Sequence, residues 1–227
     1  MAAMTDQARL REAVVAAGRR LGARGLISAG EGNISVRLDD GTLLVTPSGL
    51  RKDELATDDV LIVPIRTESG AATQAAGAGP QPSSDIAIHR AIYRARPDVV
   101  AVVHAHLPAA MALTLAGEVP DPAALPETAL FLPRLPYIPF ATPGSAELAA
   151  QVAAALGEGP EPLPGAVLLE RHGGVAVGAT LDQAINRLEL VEVLCRTWRD
   201  ALLIRAAVGK AGAGAILRPP SISRRDR

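Results

Sequence analysis

Two histidines separated by one residue, His104 and His106, are the side chains best placed for chemistry. They follow an apolar, β-branched run over 99–103 that lies between Pro97 and Pro108, a pattern that predicts a short buried strand rather than a helix. Side chains two apart on a strand point to the same face, about 6 to 7 Å from each other. Both imidazoles could then bind one divalent ion at roughly 2.0 to 2.1 Å. The pair alone leaves two interpretations open, a metal site and a chance pair of packed histidines.

The other two histidines occupy different settings. His172 lies between two predicted strands, over 165–170 and 175–178, and is followed by two glycines, which let the backbone approach closely. We therefore expect His172 to be placed as a third ligand. His89 lies one turn into a predicted helix, where a packed or capping histidine is favoured over a ligand.

Hydroxyls and glycine amides in two further turns are candidates for binding an anion. The Pro-Ser-Gly turn at 47–49 follows a predicted strand and leaves a hydroxyl and an amide free, although an ordinary tight turn would have the same sequence. Ser83 and Ser84 precede a predicted helix, where one of them can serve as N-cap and both could donate to a phosphate. Asp85 is expected in the first turn, where its charge is favourable with or without a catalytic role.

The elements that must position these residues follow from hydrophobic spacing. An amphipathic helix is predicted over 5–22, and strands over 34–38 and 42–45 form a hairpin, with a third strand over 59–65. Residues 67–82 are predicted to be a flexible surface loop, and the proline-rich segment 117–139 is predicted to be irregular. The remaining helices are predicted from 86 towards Pro97, over 109–115, over 146–156, and from the capping-box sequence at 180–183.

Composition limits the class of protein. A chain of 227 residues with a net charge of -1 is large enough for one core and lacks the basic balance of a nucleic-acid binder. No apolar stretch or signal-peptide pattern predicts membrane insertion, and a single cysteine, Cys195, excludes an internal disulfide, so we expect a cytoplasmic protein. Cys195 lies on an apolar helical stripe and is predicted to pack in the core. We expect one domain over 1–210 and a flexible tail over 211–227.

Five short motifs occur in the order and approximate spacing of the class II aldolase and adducin family. The chain resembles this family from about residue 8 to about residue 205 through Gly32-Asn33-Ile34-Ser35, Thr46-Pro47-Ser48-Gly49, Pro82-Ser83-Ser84-Asp85, Val103-His104-Ala105-His106 and Arg171-His172-Gly173.

The resemblance implies a three-layer α/β/α fold around a central, mainly antiparallel sheet, and a cyclic homotetramer with active sites between subunits. It implies that His104, His106 and His172 bind Zn²⁺, or another divalent metal such as Mn²⁺ or Co²⁺. Asp85 takes the position of the family's acid/base residue. The positions that match the family's phosphate-binding residues are Asn33, Ser48, Gly49, Ser83 and Ser84.

These residues together predict a metal-dependent aldolase that cleaves a ketose 1-phosphate by retro-aldol chemistry. A metal ion with three protein ligands keeps positions open for substrate and can stabilise an enediolate as a Lewis acid, while a nearby carboxylate moves the proton on carbon. An epimerase similar to L-ribulose-5-phosphate 4-epimerase is the alternative, because residue 85 is aspartate rather than the aldolases' glutamate. Dehydratases and decarboxylases of the same family, and an adducin-like interaction module, are further alternatives, although a scaffold has no need of three converging histidines.

One part of the expected machinery is missing from the sequence. The fuculose aldolases use tyrosines that neither Tyr93 nor Tyr137 matches by spacing, so the proton donor to the leaving group is unassigned. Glu127 is a candidate substitute, although a solvated loop carboxylate is the simpler interpretation.

Overall fold

Seven strands form one sheet in the computed structural model, which describes residues 6–66 and 80–208. The strands are β1 (Asn33–Arg37), β2 (Thr42–Val45), β3 (Leu61–Pro64), β4 (Ala101–Ala105), β5 (Tyr137–Ile138), β6 (Ala166–Leu169) and β7 (Gly173–Gly178). Their order in the sheet is β3-β2-β1-β4-β7-β6-β5, and only the β5-β6 pair of these strands is parallel.

Helices cover both faces of this sheet. They are α1 (Asp6–Ala23), α2 (Ile86–Ala95), α3 (Pro108–Leu115), α4 (Pro126–Phe131), α5 (Ala146–Gly157) and α6 (Leu181–Val208), with short 3₁₀ turns at Thr57–Asp59 and Pro122–Ala124. One core packs α1, α3 and α6 against one face of the sheet, and a second packs α2 and α5 against the other. The predicted three-layer α/β/α fold with a mainly antiparallel sheet is confirmed.

Strand β4 lies at the centre of the sheet and is buried along its whole length. Val102 packs into the core with α2 and α5, whereas Val103 packs into the core with α1, α3 and α6, so both faces of the strand require apolar residues. Asn33 of β1 is paired directly with His104, and Ala105 is paired with Gly174 of β7. The start of β1, the end of β4 and the start of β7 therefore meet at one edge of the sheet.

The prediction of an irregular segment over 117–139 is wrong in part, because this segment contains α4 and β5. Pro126 is the first residue of α4, a position where the missing proline N–H would have no helical partner. Residues 67–79 of the predicted loop over 67–82 lie outside the described residues, and so does the whole of the predicted tail over 211–227.

The expected capping of α2 by Ser83 or Ser84 is also wrong. Asp85 is the N-cap residue, immediately before the helix rather than in its first turn, and its side chain makes no capping hydrogen bond. Ser83 lies two residues before the N-cap, and its hydroxyl accepts from Nδ2 of Asn33 in β1 at 2.9 Å and from the N–H of Asp85 at 3.4 Å. This strand-to-loop contact is not visible in local sequence.

Two residues of α6 show how this helix packs against the sheet and against α3. Cys195 is buried as predicted, and burial raises the pKa of its thiol to about 12. Glu192 is 2% exposed, and its carboxylate accepts hydrogen bonds from the backbone N–H groups of Ala109 and Ala110. It thereby caps α3, the helix that follows His106.

Within 6–66 and 80–208, no helix has both the length and the hydropathy needed to cross a bilayer.

Candidate metal centre and substrate site

The three predicted ligand histidines converge at the edge of the sheet. His104 lies in β4, His106 directly follows that strand, and His172 lies in the turn between β6 and β7. Their ring centroids are 4.7 to 5.1 Å apart, and one nitrogen from each ring lies within 4.8 Å of the others. Three imidazole nitrogens form a donor set that suits Zn²⁺ and leaves a coordination position for a substrate.

Hydrogen bonding indicates which nitrogen of His104 faces this cluster. Its Nδ1 lies 3.0 Å from the carbonyl oxygen of Gly174, so Nδ1 carries the proton and donates it. Nε2 is then a bare acceptor, and neither this atom nor Nδ1 of His172 has a hydrogen-bond partner among the described residues, although both are buried. An unpaired buried polar atom is costly, so both nitrogens fit an ion as their partner.

Two of the three histidines are held in the protonation state that binds metal. Burial, together with nearby His172 and His106, lowers the pKa of His104 to about 3, against an opposing effect of Asp85. The pKa of His172 is also lowered, mainly by burial. Metal ligation requires a neutral imidazole, and these surroundings keep both rings neutral near pH 7.

Gly173 lets the two ligand-bearing segments come together. Its φ is +99°, and a Cβ at this position would lie 2.1 Å from the carbonyl oxygen of Ala105 and 2.8 Å from the Cα of His106. Arg171 also has a positive φ, +57°, and its N–H donates to the buried Thr114 hydroxyl at 3.0 Å. The turn that carries His172 is therefore held in a backbone conformation that most residues avoid.

Asp85 places a carboxylate beside the triad. Its Oδ2 lies 3.8 Å from Nε2 of His104 and accepts from Nδ2 of Asn33 at 3.3 Å, while Oδ1 accepts from the N–H of Gly144 at 3.0 Å. The side chain is buried. A carboxylate fixed in this way is positioned to exchange a proton with a substrate that reaches the histidines.

Asn33 connects the site to the interior through a directed chain of hydrogen bonds. Its Nδ2 donates to Ser83, and its Oδ1 is hydrogen-bonded to Nε2 of His89. Nδ1 of His89 lies 2.6 Å from the hydroxyl of Ser35, so Ser35 donates to Nδ1 and His89 donates to Asn33. Burial lowers the pKa of His89 to about 4, despite the opposing charge of Asp85. His89 is a packed histidine rather than a ligand, as the sequence favoured.

The predicted anion-binding turns lie side by side. Pro47 and Pro82 form a bridge, and the N–H of Ser48 donates to the carbonyl oxygen of Gln81 at 2.8 Å. Ser48, Gly49 and Ser84 are exposed, whereas Ser83 and Asn33 are buried beside Asp85. The structure thus brings Asn33, Ser83 and Asp85 to the histidines, and the phosphate-binding roles of the five predicted residues stay predictions.

Glu31 is a site residue that sequence reasoning missed. Its Oε2 lies 3.0 Å from Nδ1 of His106. Glu31 precedes β1 by two positions, so its proximity to the end of β4 could be found only from the antiparallel β1-β4 pairing. Tyr93 and the candidate proton donor Glu127 lie elsewhere: the Tyr93 hydroxyl donates into the core to the carbonyl of Ser35, and Glu127 is exposed in the first turn of α4.

Comparisons with known proteins agree with this geometry. Residues 12–199 match the model of the class II aldolase and adducin N-terminal domain. The chain is 33% identical to the 3-oxo-tetronate 4-phosphate decarboxylase of Cupriavidus necator over 86% of each chain. It is 37% identical to the 5-methylthioribulose-1-phosphate/5-deoxyribulose-1-phosphate aldolase of Rhodospirillum rubrum, over 84% of this chain and 80% of the relative.

Two further relatives extend the comparison. The methylthioribulose-1-phosphate dehydratase of Gluconacetobacter diazotrophicus is 36% identical over 80% of this chain and 88% of its own. The crystal structure of L-fuculose-1-phosphate aldolase from Thermus thermophilus superimposes with a TM-score of 0.73 at 33% identity, covering 90% of this chain and 99% of that one. With its histidine triad, its sheet topology and a family match that spans most of its length, the chain belongs to the class II aldolase and adducin family.

Proposed function

We propose that this protein is a metal-dependent lyase that cleaves a ketose 1-phosphate by a retro-aldol reaction. The observation that carries the proposal is the convergence of three imidazole nitrogens within 4.8 Å of one another, with the Asp85 carboxylate 3.8 Å from one of them. The relative from Rhodospirillum rubrum is named as an aldolase of two such ketose phosphates, which supports this substrate class.

Each group of residues has a distinct task in this proposal. His104, His106 and His172 would hold Zn²⁺, which acts as a Lewis acid for the negative charge that develops on the substrate oxygens. Asp85 takes up and returns the proton that moves between solvent and substrate carbon. The phosphate is bound by hydroxyl and amide donors that fix the substrate against the histidines, namely Asn33, Ser48, Gly49, Ser83 and Ser84.

Decarboxylation of a phosphorylated 3-oxo acid is a second candidate, and the placement of the tyrosines favours it. Retro-aldol cleavage removes a hydroxyl proton from the departing aldehyde and later protonates the enediolate, whereas loss of CO₂ needs only the second proton transfer. The Tyr93 hydroxyl is directed into the core, and the Tyr137 hydroxyl is hydrogen-bonded to the Glu170 carboxylate. Asp85 alone could therefore serve a decarboxylase, the reaction named for the Cupriavidus necator relative.

The proposal extends to assembly and location. We propose a homotetramer with active sites between subunits, located in the cytoplasm. Exposed apolar side chains on α4, after β5 and near the end of α6 support an interface between copies, because burying such side chains favours association. They are Leu130, Phe131, Phe140, Leu203 and Ile204.

Metal analysis followed by a substrate screen tests the function. The purified protein is assayed with ketose 1-phosphates, pentulose 5-phosphates and 3-oxo-tetronate 4-phosphate. About one bound metal per chain, with release of dihydroxyacetone phosphate and an aldehyde from a ketose 1-phosphate or of glycolaldehyde phosphate from a pentulose 5-phosphate, and no CO₂, would support the aldolase. Release of CO₂ would establish the decarboxylase, and an isomerised but uncleaved pentulose phosphate would establish the epimerase. A protein that binds no metal and turns over none of these compounds would contradict the proposal.

A further inference from the structure

The geometry points to Glu31 as a positioning residue for the metal centre. Its Oε2 lies 3.0 Å from Nδ1 of His106, where it can accept a hydrogen bond from an Nδ1–H and thereby aim Nε2 of that ring at the metal position. This inference deepens the proposed metal-dependent function and rests on it.

His106 needs an orienting partner more than His104 does. His104 is fully buried in the strand and is oriented by a backbone carbonyl, whereas His106 lies beyond the strand end with its side chain 25% exposed. Glu31 supplies the missing contact, with Oε2 at 3.0 Å from Nδ1. The other carboxylate oxygen is held by Ser28, whose N–H and hydroxyl donate to it at 2.9 and 2.7 Å. Both oxygens of Glu31 are therefore fixed.

The loop that carries Glu31 is built to hold this position. Ala29 and Gly32 both have positive φ, +48° and +72°, which is an unfavourable conformation for alanine. A Cβ on Gly32 would lie 2.8 Å from a side-chain carbon of Ile27 and 3.0 Å from the carbonyl oxygen of His104. The loop thus packs directly against the strand that carries the histidines.

A buried lysine ties the same loop to the predicted anion-binding turn. Lys52 is 1% exposed, and its Nζ donates to the carbonyl oxygens of Gly30 and Leu50 at 2.8 and 2.6 Å. Burial of an ammonium group is costly and lowers its pKa, so the two carbonyls must offset that cost. Glu31 is consequently held from both sides of its loop.

A carboxylate on the far nitrogen of a ligating imidazole fixes its tautomer and makes the near nitrogen a stronger donor. Loss of such a partner typically weakens metal affinity about 10- to 100-fold. The expected role of Glu31 is therefore measurable as metal affinity, without any knowledge of the substrate.

The test is a Zn²⁺ titration of the metal-free protein against a chromophoric chelator. We expect Glu31→Ala to raise the Kd about 10- to 100-fold and Glu31→Gln to raise it less, because glutamine keeps an acceptor oxygen but loses the charge. Glu54→Gln is the matched control, since Glu54 is 68% exposed and pairs only with the nearby Arg51 among its described contacts. An affinity of Glu31→Ala equal to that of wild type would overturn the inference and leave the proposed function intact.

A second measurement separates positioning from loss of fold. The side-chain ¹⁵N shifts of His106 should report a single Nδ1–H tautomer in the metal-free wild type and a mixture in Glu31→Ala, while the unfolding midpoints of the two proteins stay close. A mixture of tautomers already present in wild type would overturn the inference. A wild type that binds no Zn²⁺ would overturn both this inference and the proposed function.

Discussion

At the scale of single residues, the orientation of the Asn33 amide is set by His89, a histidine that lies outside the candidate metal centre. His89 donates to Oδ1 of Asn33, so the amide nitrogen must point towards Ser83 and Asp85. Reversal of this amide would place two acceptors against each other at Asp85. His89 therefore controls the donor that the predicted phosphate site and the candidate acid/base residue share.

Replacement of His89 by leucine should destabilise the protein and disturb substrate binding. The change leaves Oδ1 of Asn33 without its buried donor, whereas the Ser35 hydroxyl keeps Tyr93 as a partner at 3.0 Å, so the expected cost is about 1 to 3 kcal/mol. His89→Gln keeps a donor and should cost less. Urea unfolding measures the loss of stability in each of the two variants. Zinc content should stay at the wild-type level in both. Equal stability of His89→Leu and wild type would refute the hydrogen-bond chain.

Asp85→Asn tests the catalytic role of this carboxylate. Asparagine keeps the acceptor for the Gly144 N–H but loses the acceptor for Nδ2 of Asn33 and cannot exchange a proton, so turnover should fall about 10²- to 10⁴-fold. Metal content should be unchanged, because the three histidines remain. The variant is assayed with the substrate that the screen identifies, at matched metal occupancy. Wild-type turnover would exclude Asp85 as the acid/base residue.

At the scale of elements, the contact between the β6-β7 turn and the end of β4 decides whether three ligands can meet. Gly173→Ala should cost about 2 to 5 kcal/mol, combining a left-handed alanine with a clash against the backbone of β4. Gly25→Ala is the matched control: its φ is +65°, but a Cβ there meets nothing within 4 Å, so only about 1 to 2 kcal/mol is expected. Thermal unfolding of both variants, with zinc content, measures the difference. Equal losses would mean that the close approach contributes nothing.

Local patterns predicted the elements that carry the histidines, and long-range contacts account for what they missed. The β-branched run before His104 and the hairpin around residues 39–41 depend on neighbours in sequence, and both appear at about the predicted positions. Local sequence does not predict the roles of Glu31 and Glu192, because each contacts a segment far along the chain. Glu31 contacts His106 at the end of β4, and Glu192 contacts the start of α3. Proline-rich sequence predicts irregular structure over α4 because proline breaks a helix interior, but Pro126 lies at the first position of this helix, where proline is tolerated.

At the scale of the whole molecule, the order of strands explains how residues far apart in sequence form one site. Pairing of β1 and β7 on either side of β4 brings Asn33 and the turn at His172 to the end of the same strand. Helix α2, in the opposite layer from α6, begins beside that edge and brings Asp85. The site therefore depends on the complete sheet, and unfolding and loss of metal should be coupled.

The buried histidines also make global stability depend on pH, and His89 offers the cleanest measurement. Above about pH 6.5 it is neutral in both the folded and the unfolded chain and contributes no pH dependence. Burial lowers its pKa to about 4 in the folded protein, so between these values only the unfolded chain binds the proton. The free energy of unfolding should therefore fall as the pH falls, by on the order of 3 kcal/mol from this residue at about pH 4.

Urea unfolding of the metal-free protein between about pH 7 and about pH 4.5 measures this dependence, with a chelator present so that metal release does not contribute. Other groups titrate in this range, so the informative quantity is the difference between wild type and His89→Gln at each pH. Glutamine cannot take up a proton, and its variant should lose less stability than wild type as the solution becomes acidic. Parallel pH profiles for the two proteins would show that His89 is already accessible to protons in the folded state, in conflict with its buried position between Ser35 and Asn33.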